Sequence, residues 1–294
     1  MTDIEGFPGW TEQEAARVDS LVAGDGVWNP PVPRDAASVV LLRDGEPGLE
    51  VFMLRRVSTM AFAAGMHVFP GGAIEATDAA VPTAGRVGDA ELDARTWSDR
   101  GRAVVVAAAR ETFEECGVLL AVDAAGRPAV HDDALEDERA ALLRDELGFA
   151  EVLGRRGLRV DDSALVPFAH WVTPEIEDRR FDARFLVAVQ PEGQQARHVG
   201  GEAERSAWWH PAAALTAYAE SLMPMWPPQL AVMRFLAACP TTADAVDAAR
   251  RAQVVPRMPE SYRDGSGGLS VRLVHARTRE VLAEATHDDY GTDG

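Results

Sequence analysis

Three glutamates on one predicted helical face constrain this chain more than any other feature. The segment from Arg110 to Val118 has the sequence RETFEECGV, which places Glu111, Glu114 and Glu115 at positions i, i+3 and i+4. Like charges at these spacings cost about 0.2–0.5 kcal/mol per exposed pair, so stability alone does not explain them. A bound divalent cation reverses the sign, because carboxylate oxygens suit Mg²⁺ or Mn²⁺ and leave coordination positions for water and phosphate oxygens. The segment therefore predicts a metal site for phosphate-ester or diphosphate hydrolysis.

The residues around this segment predict a helix before it and a strand after it. The run AVVVAAA at 103–109 gives the helix an apolar approach, Gly117 supplies a left-handed end, and VLLAV follows as a strand. Upstream, FPGG at 69–72 is typical of a strand end with a tight glycine turn, where backbone carbonyls can approach a metal or phosphate without a Cβ in the way.

Together the two signals resemble the Nudix hydrolase box, G-x5-E-x7-R-E-U-x-E-E-x-G-U, in which U is a bulky aliphatic residue. The second half of the box matches from Arg110 to Val118, and only Thr112 departs, at the first U. Gly72 and Arg110 are about 38 residues apart where the box places them about 14 apart, so about 24 residues are inserted. Asp78 stands where the box has its first glutamate. An inserted box with this opening is similar to the branch that includes the coenzyme A diphosphatases.

The resemblance implies an α/β fold, a Nudix α/β/α sandwich with a mixed sheet, and a diphosphatase. It implies that Glu111, Glu114 and Glu115 hold one or more Mg²⁺ or Mn²⁺ ions, with the carbonyl of Gly71 as a further ligand. Glu111 would orient the attacking water as the base, and Arg110 would fix the orientation of a glutamate.

Arginines are the predicted substrate ligands, because a guanidinium matches phosphate geometry and the sequence contains no lysine. We expect Arg56, Arg180 and Arg184 to bind the substrate together with Gly72, and Arg179 is a further candidate. Trp208 and Trp209 straddle the two faces of a predicted strand, so one could stack on a nucleobase, although packing is the favoured interpretation. The histidines stand beside apolar residues and are left outside the site.

The predicted substrate is coenzyme A or acyl-CoA, because the inserted box and a helix opened by PPQ at 227–229 both resemble that branch. Ala61 and Ala63 stand where that branch carries basic residues, so we expect this chain to bind a 3′-phosphate more weakly. ADP-ribose, NADH and nucleotide sugars therefore remain alternatives. A non-hydrolytic binding or regulatory module is the alternative from a different class, and it would be expected to lose a metal glutamate.

Composition limits the remaining function classes. A net charge of −18 should repel nucleic-acid backbones, so the expected partner is a small molecule. Two cysteines provide no disulfide framework, no apolar run approaches the length of a membrane span, and the first residues do not resemble a signal peptide. We expect a cytoplasmic protein that does not bind membranes, and a homodimer is compatible with these features.

The chain divides into three predicted parts: an N-terminal helical extension at 1–32, a Nudix domain at 33–240 and a C-terminal extension at 241–294. Residues 79–102 are polar and turn-rich, which predicts an outward loop inserted in the box. The predicted helices are 11–23, capped by Thr11, then 134–147, 212–220, 227–239 and a short alanine-rich helix after 240. The predicted strands include a hairpin at 37–43 and 49–56, then 165–174, 180–189, 206–209, 269–276 and 279–285.

Overall fold

The computed structural model describes residues 11–57, 65–197 and 203–284. Its helices are α1 (Glu12–Ala23), α2 (Asp89–Thr96), α3 (Gly101–Cys116), α4 (Asp133–Leu142), α5 (Phe149–Arg155), α6 (Pro211–Ala219), α7 (Pro227–Leu236) and α8 (Thr242–Arg251). Its strands are β1 (Arg34–Asp44), β2 (Leu49–Arg56), β3 (His67–Val68), β4 (Gly71–Ala73), β5 (Ala121–Val122), β6 (Arg159–Val160), β7 (Val166–Val172), β8 (Phe181–Val189), β9 (Ala203–Trp209), β10 (Pro256–Arg263), β11 (Leu269–His275) and β12 (Val281–Glu284). A 3₁₀ turn spans Ala76–Ala80.

One mixed sheet forms the centre, in the order β12-β11-β10-β7-β8-β1-β2-β3, with β4 paired to β1 and β9 paired to β2. β1 and β8 are parallel along their length, and β1 and β2 form the predicted antiparallel hairpin. The two hairpin strands diverge toward their far ends, where β4 pairs with the start of β1 and β3 with the end of β2. The FPGG turn therefore lies between the two strands of the hairpin.

Alternating side chains of β1 cover the two faces of this sheet. Val39 and Leu41 pack in one hydrophobic cluster with α3, while Val40 and Leu42 pack in a second cluster with α6, α7 and α8. The apolar run of α3 is fully buried from Val104 to Ala109. The predicted α/β/α sandwich with a mixed sheet is confirmed, and α3 is one of its outer layers. Among the described residues, no helix is long and apolar enough to cross a membrane.

The prediction that residues 79–102 form an outward loop is wrong, because this segment contains α2 and packs on the domain. Leu92 and Thr96 are buried, and the guanidinium of Arg95 donates to the carbonyl of Pro167 at 2.9 Å. A Cβ on Gly101 would lie 2.5 Å from the carbonyl carbon of Leu92, so α2 and α3 touch through backbone atoms. Leu92 and Thr96, one helical turn apart, form the buried side of α2, which the polar composition of the segment did not reveal.

The terminal segments extend the same sheet. β10 pairs in parallel with β7 through Pro256 and Arg257, and β11 and β12 pair with each other as predicted. The capping box of Thr11 in α1 is also confirmed. Asp19 of α1 bonds Arg263 of β10 at 2.8 Å, so the first described helix contacts one of the last three strands. The boundaries at 32 and 240 stay predictions about where the family resemblance ends, since the sheet itself continues past residue 240.

Candidate active site

The last turns of α3 lie against β4 and bring the predicted metal residues together. The backbone N–H of Gly71 donates to the carboxylate of Glu115 at 2.9 Å, and Arg110 donates to the carbonyl of Ala73 at 3.0 Å. Pro70 and Ile74 bond to β1, so Gly71 and Ala73 occupy the alternate positions whose backbone groups point away from that strand. The carbonyl of Gly71 therefore leaves β4 on the same side as its N–H, toward Glu115.

This close approach requires both glycines of the turn. Gly71 has φ +157°, and a Cβ there would lie 2.4 Å from the carbonyl oxygen of Ala37 in β1. A Cβ on Gly72 would lie 2.3 Å from the carboxylate of Glu111. The Ala37 carbonyl belongs to the backbone of β1, so only glycine fits at 71, whereas a Cβ at 72 would displace the Glu111 carboxylate, which ends a flexible side chain.

A buried arginine lies at the centre of the acid cluster, by which we mean Asp78, Arg110, Glu111, Glu114 and Glu115. The guanidinium of Arg110 donates to Asp78 at 3.0 and 3.2 Å, to Glu111 at 2.8 Å and to Glu114 at 3.4 Å. Asp78 is 1% exposed and also accepts the N–H of Glu75. The residue in the place of the first box glutamate is therefore a partner of Arg110.

The acid cluster holds more negative than positive charge. Burial raises the pKa of Glu111 to about 7, with the charge of Glu114 adding to the rise and Arg110 opposing it. Burial likewise raises the pKa of Glu114, against the opposing effect of Arg110. Burial would lower the pKa of Arg110, but the hydrogen bonds that it donates to Asp78 and the charges of the surrounding carboxylates raise it. The excess of carboxylates is the chemical environment in which an additional cation is stabilised.

The donor set fits a hard divalent cation in type, since it consists of carboxylate oxygens and a backbone carbonyl. Within the described residues, no three His, Cys, Asp or Glu side chains already converge on one point. Arg110 bonds Glu111, and the Gly71 N–H bonds Glu115. Binding of a cation would therefore require these carboxylates to turn from their present partners.

Two of the predicted substrate ligands are not available to a phosphate, which corrects that prediction. Arg180 is buried and donates to the carbonyls of Thr173 and Pro31, each at 3.0 Å. Arg184 is also buried and donates to the carbonyl of Thr96 at 3.0 Å and to Asp35 at 2.5 Å. Both guanidinium groups hold distant segments of the chain together.

Arg184 belongs to a second charge group, the balanced network, which consists of the buried His170 and Arg184 and the partly exposed Asp35 and Asp182. His170 hydrogen-bonds Asp182 through Nε2, and Arg184 Nη2 lies 3.2 Å from the same carboxylate. Burial would raise the pKa of Asp182, but His170 and Arg184 together lower it. The network thus pairs the cationic Arg184 and the titratable His170 with two carboxylates, those of Asp35 and Asp182.

Arg56 lies at the end of β2, where its backbone N–H donates to the carbonyl of Met66 just before the glycine turn. Its side chain is half-buried, and Nε is buried without a hydrogen-bond partner among the described residues. Ala61 and Ala63 lie outside the described residues. The role of Arg56 in substrate binding stays a prediction.

The two neighbouring tryptophans do lie on opposite faces of β9, as predicted. Trp208 packs edge-on against Phe52 at 5.2 Å on the α3 side, with the guanidinium of Arg43 4.3 Å above its ring. Trp209 packs in the opposite cluster beside His67.

Sequence reasoning missed Arg139, which lies within the helix predicted at 134–147 and was given no role. The residue is 1% exposed and donates to the carbonyls of Phe113 and Glu114 at the end of α3. The available signal was its spacing, since it shares one face of α4 with the buried Leu135 and Leu142.

The sandwich and the acid cluster define a hydrolase of the Nudix type, and comparison with known proteins agrees. The family model described as the NUDT19 Nudix domain matches residues 90–236. The crystal structure of a NUDIX hydrolase from Alicyclobacillus acidocaldarius is 31% identical, with a TM-score of 0.64, and the match covers 76% of this chain and 99% of that one. The chain belongs to the Nudix hydrolase family.

Two curated relatives carry the name acyl-coenzyme A diphosphatase NUDT19. The protein from Gallus gallus is 28% identical over 250 residues, covering 67% of this chain and 66% of the relative. The protein from Xenopus laevis is 27% identical over 218 residues, covering 61% of this chain and 57% of the relative. The matches therefore span less than two thirds of the length of these relatives.

Proposed function

We propose that this chain hydrolyses the diphosphate linkage of a nucleoside diphosphate derivative and requires Mg²⁺ or Mn²⁺. The observation that supports this most is the hydrogen bond from the Gly71 N–H to Glu115, which ties the glutamate helix to the glycine turn. All three helix glutamates are present, which favours hydrolysis over a non-hydrolytic binding or regulatory module.

The proposed roles follow from where the side chains lie. Glu111, Glu114, Glu115 and the Gly71 carbonyl would hold the metal, which when bound polarises the phosphate and lowers the pKa of water. Glu111 would orient the attacking water and accept its proton. Arg110 would keep Glu111 and Glu114 in position through its Nη1 donor, and Asp78 would keep Arg110 in place. The water oxygen forms a bond to one phosphorus, the bridging P–O bond breaks, and two phosphate products leave.

Coenzyme A or acyl-CoA is the proposed substrate, because both curated relatives are named for acyl-CoA and the inserted box resembles the same branch. Cleavage would give 4′-phosphopantetheine, or its acyl form, and adenosine 3′,5′-bisphosphate. The burial of Arg180 and Arg184 leaves Arg56 as the predicted guanidinium ligand, with the exposed Arg179 as the further candidate. ADP-ribose, NADH or a nucleotide sugar is the second candidate, because such substrates lack the 3′-phosphate that needs further basic partners.

The proposal is tested by measuring kcat/KM for CoA, 3′-dephospho-CoA, ADP-ribose and NADH in Mg²⁺, in Mn²⁺ and in EDTA. We expect hydrolysis only with metal, with CoA preferred over ADP-ribose. A CoA value tenfold or more below that of ADP-ribose would replace the first substrate by the second, and equal rates in EDTA would exclude a metal-dependent reaction.

A matched pair of variants tests the site itself. Glu114→Gln should lower kcat at least about 100-fold, since metal catalysis contributes several kcal/mol to the transition state. Glu91→Gln, which changes an exposed glutamate of α2, should leave kcat unchanged. Near wild-type turnover by folded Glu114→Gln would show that the metal residues have been assigned wrongly.

A further inference from the structure

The last turn of α3 carries negative side chains at the end of the helix that is itself partly negative. The C-terminal carbonyls of a helix lack intrahelical donors and carry partial negative charge, and Glu114 and Glu115 add two carboxylates there. α3 contributes no basic residue in this turn. Arg110 bonds the Glu114 carboxylate from within α3, whereas the position of the last turn itself also depends on donors and positive charge from other elements.

Arg139 of α4 supplies both hydrogen-bond donors and positive charge to this turn. Its Nε donates to the carbonyl of Phe113 at 2.6 Å, and its Nη2 donates to the carbonyl of Glu114 at 2.7 Å. The carbonyl of Phe113 also accepts the N–H of Gly117, which ends the helix with φ +72°. The rigid fork of a guanidinium fixes two successive peptide planes at once, which a single-point donor cannot do.

Two further residues support this contact from outside α3. Glu136, on the same helix as Arg139, lies 3.4 Å from Arg139 Nη1 and 3.4 Å from Arg197 Nη2. The backbone N–H of Arg197 donates to the carbonyl of Cys116 at 3.0 Å. The carbonyls of the last turn are thus bonded by residues that lie more than 20 positions away in the sequence.

We propose that Arg139 is a positioning residue, which holds the last turn of α3 so that Glu114 and Glu115 present their carboxylates to the cation beside the glycine turn. This inference rests on the proposed metal-dependent function. Arg139 contacts neither the cation nor the substrate in this role, because its guanidinium binds the backbone of the residues that do.

The test compares Arg139→Lys with Arg156→Lys in the full chain. Arg156, the residue that follows α5, bonds Asp132 and Glu138, so it supports α4, and none of these bonds reaches α3. Mn²⁺ binding is measured by titration calorimetry, and kcat and KM are measured at fixed Mg²⁺. We expect Arg139→Lys to weaken Mn²⁺ binding about tenfold and to lower kcat with KM nearly unchanged, as for other residues that orient metal ligands. Arg156→Lys should leave Mn²⁺ binding unchanged.

A merely structural Arg139 gives a different result. Equal Mn²⁺ affinity in Arg139→Lys and wild type, or equal weakening in both variants, would overturn the proposal. If Arg139→Lys does not fold, Glu136→Gln replaces it, because loss of that carboxylate should loosen Arg139 and weaken Mn²⁺ binding about threefold; no change there would also overturn it. A wild-type chain that binds no Mn²⁺ would overturn the proposed function itself, and this inference with it.

Discussion

The acid cluster and the balanced network each surround a buried arginine on the face of the sheet that α3 covers, yet their charges are balanced differently. Arg110 is within 3.4 Å of three carboxylates, whereas Arg184 and His170 face only Asp35 and Asp182. The pKa of Glu111 is raised to about 7, while the pKa of Asp182 is lowered.

The difference distinguishes a site that can receive a cation from one that holds the fold together. Burying a charge is costly unless it is paired, so a buried group that is already balanced has no need of a further ion. The acid cluster keeps an excess of carboxylates at a glycine turn, where a cation can reach it. Burial of charged residues alone therefore does not identify a candidate metal site, and an excess of carboxylates beside a glycine turn is the stronger indication.

The largest expected effect is the loss of Arg184 from the balanced network. Arg184→Leu removes the buried cation that bonds Asp35, Asp182 and the carbonyl of Thr96, and should lower the free energy of unfolding by about 3–5 kcal/mol. Urea denaturation measures this change, while kcat of the folded variant should stay close to wild type. Arg179→Leu is the matched control, because Arg179 is exposed and should change stability by less than about 0.5 kcal/mol. A variant of Arg184 with normal stability and low activity would make it a substrate ligand after all.

The next effect separates the two groups by pH. The pKa of Glu111 is 4.5 when unperturbed and about 7 in the folded chain, so the folded state holds this proton more tightly. The stability this proton contributes is complete below pH 4.5 and is lost as pH rises through 7. In EDTA, wild type should lose about 2–3 kcal/mol more than Glu111→Gln between pH 5 and pH 8. Parallel stability curves for the two proteins would show that Glu111 titrates normally and that the acid cluster is balanced.

The smallest effect concerns the glycine turn. Gly72→Ala would place a Cβ 2.3 Å from the Glu111 carboxylate, which can move because it ends a flexible side chain. The fold should survive, but the displaced carboxylate should lower kcat about tenfold. Gly154→Ala, in α5, has nothing within 4 Å of the new Cβ and should retain full activity. Full activity of Gly72→Ala would show that the present position of Glu111 against the turn is not required.

Local patterns predicted the elements that carry the site. The spacing of Glu111, Glu114 and Glu115 placed them on one helix, and alternating apolar residues on either side of DGEPG gave the hairpin of β1 and β2. The Thr11 capping box was also visible, because its residues are only three apart. Each of these features is decided by interactions within a few residues, which a sequence displays directly.

The features that sequence reasoning missed depend on residues far apart in the chain. Arg184 donates to Thr96, which is 88 residues away, and Arg139 donates to Phe113, which is 26 residues away. A buried arginine and an exposed one have the same local sequence pattern. Arg139, Arg180 and Arg184 therefore proved to be buried donors, which the sequence did not reveal. The position of β10 beside β7 is equally invisible, because pairing in parallel depends on the whole connection between them.

The bond between Asp19 and Arg263 has a consequence for how the chain is made, because 244 residues separate the two partners. At about 5–20 residues per second, the ribosome adds β10, the strand that α1 contacts, roughly 10–50 s after α1 itself. From the synthesis of β7 until β10 is added, the edge of β7 that β10 will cover lacks its neighbour, and an uncovered strand edge readily pairs with other chains. The nascent protein therefore needs a late strand, β10, both as the partner of α1 and as the cover for the edge of β7.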